Sequence, residues 1–412
     1  MSDRQNDYDV VIAGGGMVGT SLALALASLD LNIAVVESVA RQAEGQPSFD
    51  DRSTALSRSS QRMFTALGLW DEIVAASTPI SAVHVSDKGR FGFAHIEAEE
   101  QGVEALGYVV INRVLGSVLQ SALEHEERVD VLCPARLVSA STVDGQAVAV
   151  AEIDSGQQRE LRAQLLVAAD GARSSVRDML AIGSRHVDYG QKAIIGNLMT
   201  EKAHANRAFE RFTEQGPIAM LPIRDQRTAF VWILSTGDAD EMLGLDDEAM
   251  LKGLQDAFGY RLGRFSRIGK RAAYPLFLSK ALRLIAGRAV LVGNAAHGLH
   301  PVAAQGFNLG LRDVAALADC IADEFADGGG DAGRAELLAR YADWRRADQQ
   351  KLVRFTDGIV RLFGSDKPPL RVARHLGMLG FDLVPGVRRQ FARHTMGLAG
   401  RLPRLSRGVP LT

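Results

Sequence analysis

Tyr8–Glu37 reads YDVVIAGGGMVGTSLALALASLDLNIAVVE. Val10 to Ala13 is a short apolar run without polar alternation, as a strand covered on both faces requires. It ends in Gly14-Gly15-Gly16-Met17-Val18-Gly19. In such a loop Gly14 allows a tight turn, Gly16 lets a pyrophosphate approach the backbone, and Gly19 lets the next helix lie close to the strand. That helix continues through the Leu- and Ala-rich Ser21 to Ser28, and Ile33 to Val36 returns as a second strand. Glu37 follows 18 residues after Gly19, where an acid can hold both ribose hydroxyls of an adenosine and repel a 2′-phosphate. The stretch therefore predicts a dinucleotide site suited to FAD or NAD better than to NADP. An ordinary strand-turn-helix with an incidental surface glutamate would have to produce this order by coincidence.

With 412 residues and a net charge of −2, the chain can bury a large core and is expected to form two or three domains. No apolar run reaches membrane-span length and no signal pattern precedes the first strand, so a cytoplasmic protein is expected. Cys133 and Cys320 stand alone and read as core residues. Neither HExxH nor CxxC occurs, and no metal site is predicted. Lys367 to Thr412 carries nine Lys or Arg against Asp382 alone, a local +8 that leaves −10 for the remainder (−2 minus 8). This tail reads either as a solvated end or as a peripheral contact with the inner face of a membrane, since Leu, Phe, Met and Val lie between its arginines. Nucleic acid is disfavoured because few aromatic residues interleave with the charges.

Past Glu37, Ala40 to Phe49 is a loop by composition. Arg52 then reads as opening a helix near the nucleotide site, where it could meet the cofactor or serve as a surface ion-pair partner. Ile80 to Glu97 alternates as a hairpin, and Asn112-Arg113 starts a helix running to about His125. Leu165 to Ala169 is a buried strand ending at Asp170-Gly171, before Ser174 and Arg177. This is a second place where polar groups can meet a ligand, or a plain helix cap. From Ala181 to Tyr274 longer alternating strands predict an inserted antiparallel sheet. Arg288 to Leu317 supplies another buried strand, a loop of small residues and a helix starting near Gln305. Its N-H groups suit an electron-rich ligand edge. Two such loops some 280 residues apart suit a long cofactor gripped at both ends. His297 and His300 show no paired acid in the sequence and read as positional.

In order and spacing these motifs resemble the class A FAD-dependent aromatic hydroxylases. Gly14, Gly16, Gly19 and Glu37 match the family's ADP motif, and Asp170-Gly171-x-x-Ser174-x-x-Arg177 matches its DGxxSxxR motif. Gly293-Asn294 through Pro301, with Gln305-Gly306-Phe307-Asn308, matches the motif for the ribityl chain and flavin ring. Arg52 and Arg113 fall at cofactor-contacting positions. The family usually carries Asp where Asn294 stands and Gly where Ala304 stands. The stretches VHVSDKGRFGF, AFERFTEQGPIAMLP and GNAAHGLHPVAAQGFNLGLRDV place the closest resemblance in the ubiquinone-biosynthesis branch.

The resemblance implies an α/β fold: a Rossmann-like FAD-binding domain (1–180 and 276–345), an inserted antiparallel-sheet substrate domain (181–275) and a helical, basic C-terminal region (346–412). It also implies an NAD(P)H- and O2-dependent flavoprotein monooxygenase acting through a flavin C4a-hydroperoxide on a prenylated phenol such as 2-polyprenyl-6-methoxyphenol. Other ubiquinone-biosynthesis proteins would be natural partners. No acid-base residue is assigned. Another ring carbon or aromatic substrate, and a non-catalytic flavin-binding scaffold, remain as alternatives.

Overall fold

The computed structural model describes residues 7–40, 52–89, 93–153, 156–298, 305–326, 330–363 and 385–412, with backbone alone at 305, 351–363, 385 and 387. The fingerprint strand Tyr8–Ala13 lies inside an eight-stranded sheet. Five strands run parallel in the order Ala289–Leu291, Gln157–Ala168, Tyr8–Ala13, Ile33–Val36 and Val129–Leu132. Val10, Ile12, Ile33, Val35, Leu165 and Val167 face one apolar core, and Val11, Ala13, Ala34, Val36, Leu166 and Ala168 face another. Two covered faces explain the unbroken apolar strands. The helix Met17–Ala27 is buried at every residue from Gly19 to Ala27, which explains its lack of a polar face.

The second sheet has nine strands and is built from more of the chain than 181–275. Its order is His297–Gly298, Ala272–Ala281, Ser184–Thr200, Arg227–Ser235, Pro217–Pro222, Arg207–Phe212, Ala82–Asp87 and Phe93–Glu97, with Phe265–Ile268 beside Ser184–Thr200. The alternating segment at 82–97 thus joins this sheet, Ala82–Asp87 pairing in parallel with Arg207–Phe212 and antiparallel with Phe93–Glu97. The helices Thr236–Gly244 and Asp247–Phe258 cover one side around Trp232, Phe230 and Phe258.

Two expectations need correction. Arg52 does not open a helix: Ser53–Ser57 is a strand of a third, three-stranded sheet, and the helix begins at Arg58. Nor are the described residues of the basic tail a solvated end. Ala392, Met396 and Leu405 are buried, Phe391 and Leu398 pack beside them, and Arg404 pairs with Asp319 and Asp323. Those apolar side chains belong to the protein's own core. The tail's residues 367–384 and the loop at 41–49 lie outside the described residues. Among the described residues, no helix is long and apolar enough to cross a membrane.

Candidate active site

The carboxyl ends of the five parallel strands converge. Gly14 N donates to Val36 O, Ala169 N to Ala13 O, Val292 N to Ala168 O and Glu37 N to Leu132 O, at 2.8–3.0 Å. The loops that follow therefore share one edge of the sheet, the usual position of a ligand in such folds.

At this edge Gly14 has φ +102°, and a Cβ there would lie 2.6 Å from Ala169 O. Gly19 approaches so closely that a Cβ would lie 1.9 Å from Gly14 O. Only glycine allows the turn and the close helix packing. Gly16 caps the helix with no side-chain hydrogen bond and no acid in the first turn, leaving its N-H groups and positive end to an anion. Glu37 accepts from Gly15 N at 2.6 Å and Val39 N at 2.7 Å. Its two oxygens hold further lone pairs for ribose hydroxyls.

Asp170 Oδ2 caps the next helix through Val176 N at 3.1 Å, so the capping role is present. Its Oδ1 is buried with no partner among the described residues. Gly171 has φ +86° with open space beside it. Buried Arg177 donates to Ala172 O and to Ala295 O at 3.3 Å, tying this motif to the third loop. Val18 fills the gap between Gly293 and Gly310, whose Cβ atoms would lie 3.2 and 3.1 Å from it. The two distant glycine loops thus touch.

Within the turn Gly293–Ala295, Asn294 is exposed while Val292, Gly293 and Ala295 to Gly298 are buried. Gln305, Gly306 and Phe307 form the start of the helix Gln305–Phe325. Asn308 is committed to the scaffold, accepting from Ser57 N and Ser60 Oγ and donating to Ala55 O. Arg52 stacks 4.8 Å above the Tyr274 ring. Arg113 lies exposed on the first turn of the helix Asn112–Glu124, whose Gln120 reaches Gly15 O at 3.3 Å. Pro301, Ala304 and His300 lie outside the described residues.

His297 does have a paired acid. Its Nε2 donates to Asp313 Oδ2 at 2.6 Å, and both residues are buried. The partner was hidden because it sits 16 residues downstream and meets His297 only through folding. Asp313 also accepts from Gly293 N at 2.9 Å, Arg345 Nε at 2.6 Å and Gln349 Nε2 at 3.4 Å. Burial alone would raise its pKa, but His297 and Arg345 hold it down at about 2. Arg345 continues to Asp348, which takes Arg312 at 2.8 Å. A buried charged chain therefore fixes the third loop to the C-terminal helices.

Positive-φ turns, an uncapped helix start, an acid beyond the second strand and an orphaned Asp170 oxygen fit an extended dinucleotide such as FAD. Residues 7–356 match the family model described as FAD binding domain. The ubiquinone hydroxylase UbiL of Rhodospirillum rubrum is 39% identical over 417 residues, covering 98% of this chain and 93% of that protein. The 3-demethoxyubiquinol 3-hydroxylase of Escherichia coli is 32% identical, covering 95% of this chain and 98% of that protein. The fold is that of the p-nitrophenol 4-monooxygenase PnpA from Pseudomonas putida DLL-E4, at TM-score 0.78 and 18% identity over 95% of this chain and 98% of that one. The chain belongs to the FAD-dependent aromatic-ring hydroxylases, the flavoprotein monooxygenase family that includes the ubiquinone hydroxylases.

Proposed function

We propose that this enzyme hydroxylates the ring of a prenylated phenol, of the 2-polyprenyl-6-methoxyphenol kind, in ubiquinone biosynthesis, with NAD(P)H as electron donor. One observation carries this reading: the third glycine loop at the carboxyl edge of the first sheet runs directly into the second sheet, His297–Gly298 pairing with Ser279 and Lys280. Gly14, Gly16, Gly19, Glu37, Asp170 and Gly171 would hold the adenosine and pyrophosphate. Asn294 and the backbone of 301–307, with Arg52 and Arg113 nearby, would hold the ribityl and ring portions. Bound FAD, reduced by NAD(P)H, supplies activation of O2 for transfer of one oxygen atom to the ring. The chain's own residues orient the ring, exclude water and hold the loop rigid through the Asp313 network. In domain terms, 1–180 with 276–345 would bind FAD, and 181–275 with the hairpin at 82–97 would form the substrate wall. A prenyl tail requires access from a membrane surface, for which the exposed basic side chains Arg389, Arg393 and Arg401 of the C-terminal region are the candidates.

The test is product analysis after incubating the FAD-loaded protein with NAD(P)H, 18O2 and a short-chain 2-prenyl-6-methoxyphenol. A ring product carrying one 18O is expected. NAD(P)H oxidation yielding peroxide alone would remove this substrate assignment, and FAD retention without any turnover would favour the scaffold.

A further inference from the structure

Five strands of the second sheet bring Ile195, Val231, Ala219, Glu210 and Val85 into one cross-strand row, each the registered partner of the next. Registered partners share a face of a sheet. All five are half-buried. On the opposite face Ile194, Trp232 and Ile218 are fully packed beneath helices.

The rows on either side are covered by elements of the cofactor site. On one side Ala208, Leu221 and Ala229 pack with Ala55, Phe391 and Met396, and it is Ala55 whose carbonyl Asn308 holds. On the other side Ala193 and Ile233 pack with Leu276, and Arg52 lies over Tyr274, the partner of Ala193. The middle row lies between two groups of residues that border the flavin motifs; Ile195 and Val231 pack against the second group, and among the described residues all five stay partly accessible.

Within this row Glu210 is the one polar side chain. Its carboxyl makes no hydrogen bond or ion pair among the described residues. Although part of its surface is accessible, dense protein surroundings desolvate it and push its pKa from 4.5 up to about 7. The neighbouring charges are turned elsewhere. Arg211 lies beside Gly259 and Arg261, Asp87 interacts with Arg211, and Arg388 of the helix Pro385–Thr395 pairs with Glu100.

We propose that Glu210 is a catalytic carboxylate that accepts the hydrogen bond, and during oxygen transfer the proton, of the substrate's phenol hydroxyl. The proposal rests on the aromatic-hydroxylase reading above. The phenol O-H bond breaks and its proton passes to Glu210, so electron density moves through the ring to the carbon that forms the new C-O bond as the O-O bond of the activated oxygen breaks, the second oxygen leaving as water. That carbon then loses its proton to water, and Glu210 returns a proton to the original oxygen. The sum is phenol, O2, NAD(P)H and one proton giving dihydroxylated ring, water and NAD(P)+. An ordinary phenol has a pKa of about 10, so the gap to an ordinary carboxylate is more than five units. At Glu210 it narrows to about three.

The experiment compares wild type, Glu210→Gln and Glu210→Asp, all FAD-loaded, by product formed per NAD(P)H consumed from pH 5.5 to 8.5. Calorimetry in parallel measures binding of 2-methoxy-6-prenylphenol and of its O-methyl ether. E210Q is expected to keep its FAD and to lose product roughly 100-fold, to release peroxide instead, and to lose wild type's preference for the phenol over the ether. Wild-type kcat/KM should fall below pH 7, E210Q should show no such limb, and E210D should regain part of the rate. Wild-type rate, pH profile and phenol preference in E210Q would overturn the role of Glu210 alone. A wild type that oxygenates no phenol would remove the hydroxylase reading and Glu210's role with it.

Discussion

Two desolvated carboxylates have opposite relations to pH. Glu210 is held about 2.5 units above its ordinary 4.5 by desolvation, so the folded state binds more protons than the unfolded one between those values. Its contribution is fully present below pH 4.5 and is lost as pH rises through 7. Glu210→Gln should therefore leave Tm nearly unchanged at pH 4 and raise it by a few degrees at pH 8, for a gain of at most about 3 kcal/mol. Asp313 is held below its ordinary 3.8, at about 2. Its contribution, about 2 kcal/mol, is present above pH 4 and lost as pH falls through 2. Asp313→Asn leaves the buried Arg345 guanidinium with Asp348 as its remaining carboxylate, a loss of about 3 kcal/mol. Chemical denaturation at pH 7 should show that drop, and the purified variant should hold less FAD because Gly293 and His297 lose their anchor.

At the scale of elements, the start of the helix Gln305–Phe325 offers a clean test of cofactor contact. A Cβ at Gly306 would meet nothing within 4 Å among the described residues, so the described packing leaves room for a side chain there. Gly306→Val should fold with an unchanged Tm in the absence of FAD yet retain little flavin on purification. Normal flavin content would remove this helix start from the site. The first strand, fingerprint loop and helix were legible because local chemistry forces each of them: two-sided burial, a positive φ at Gly14, an all-apolar helix. Arg52 was misplaced because Ser53–Ser57 has little apolar character of its own. Its strand conformation comes from pairing with Gly107–Ile111, more than 50 residues away.

For the whole molecule, the proposed site would have FAD held by loops near residues 14, 170 and 293, joining distant parts of the chain. Removing FAD should lower Tm, and restoring it at about 100 times its Kd should return about 2.7 kcal/mol. Thermal scans of stripped and reconstituted protein measure this directly. The same scale explains the tail. Its positive charge belongs to the sequence, but Phe391, Met396 and Leu398 find apolar partners on the second sheet and around Val109, while Arg404 finds Asp319 and Asp323. Composition records charge without recording what a segment folds against.

The sequence by itself determined the nucleotide fold and the order of its motifs, because turn conformation, strand burial and helix polarity are local demands on residue type. Only the tertiary structure decided that Asp313 serves His297 and Arg345, and that Glu210 stands alone in an apolar row across five strands. Both depend on contacts between segments distant in the chain, and no local preference encodes which side chains such contacts bring together.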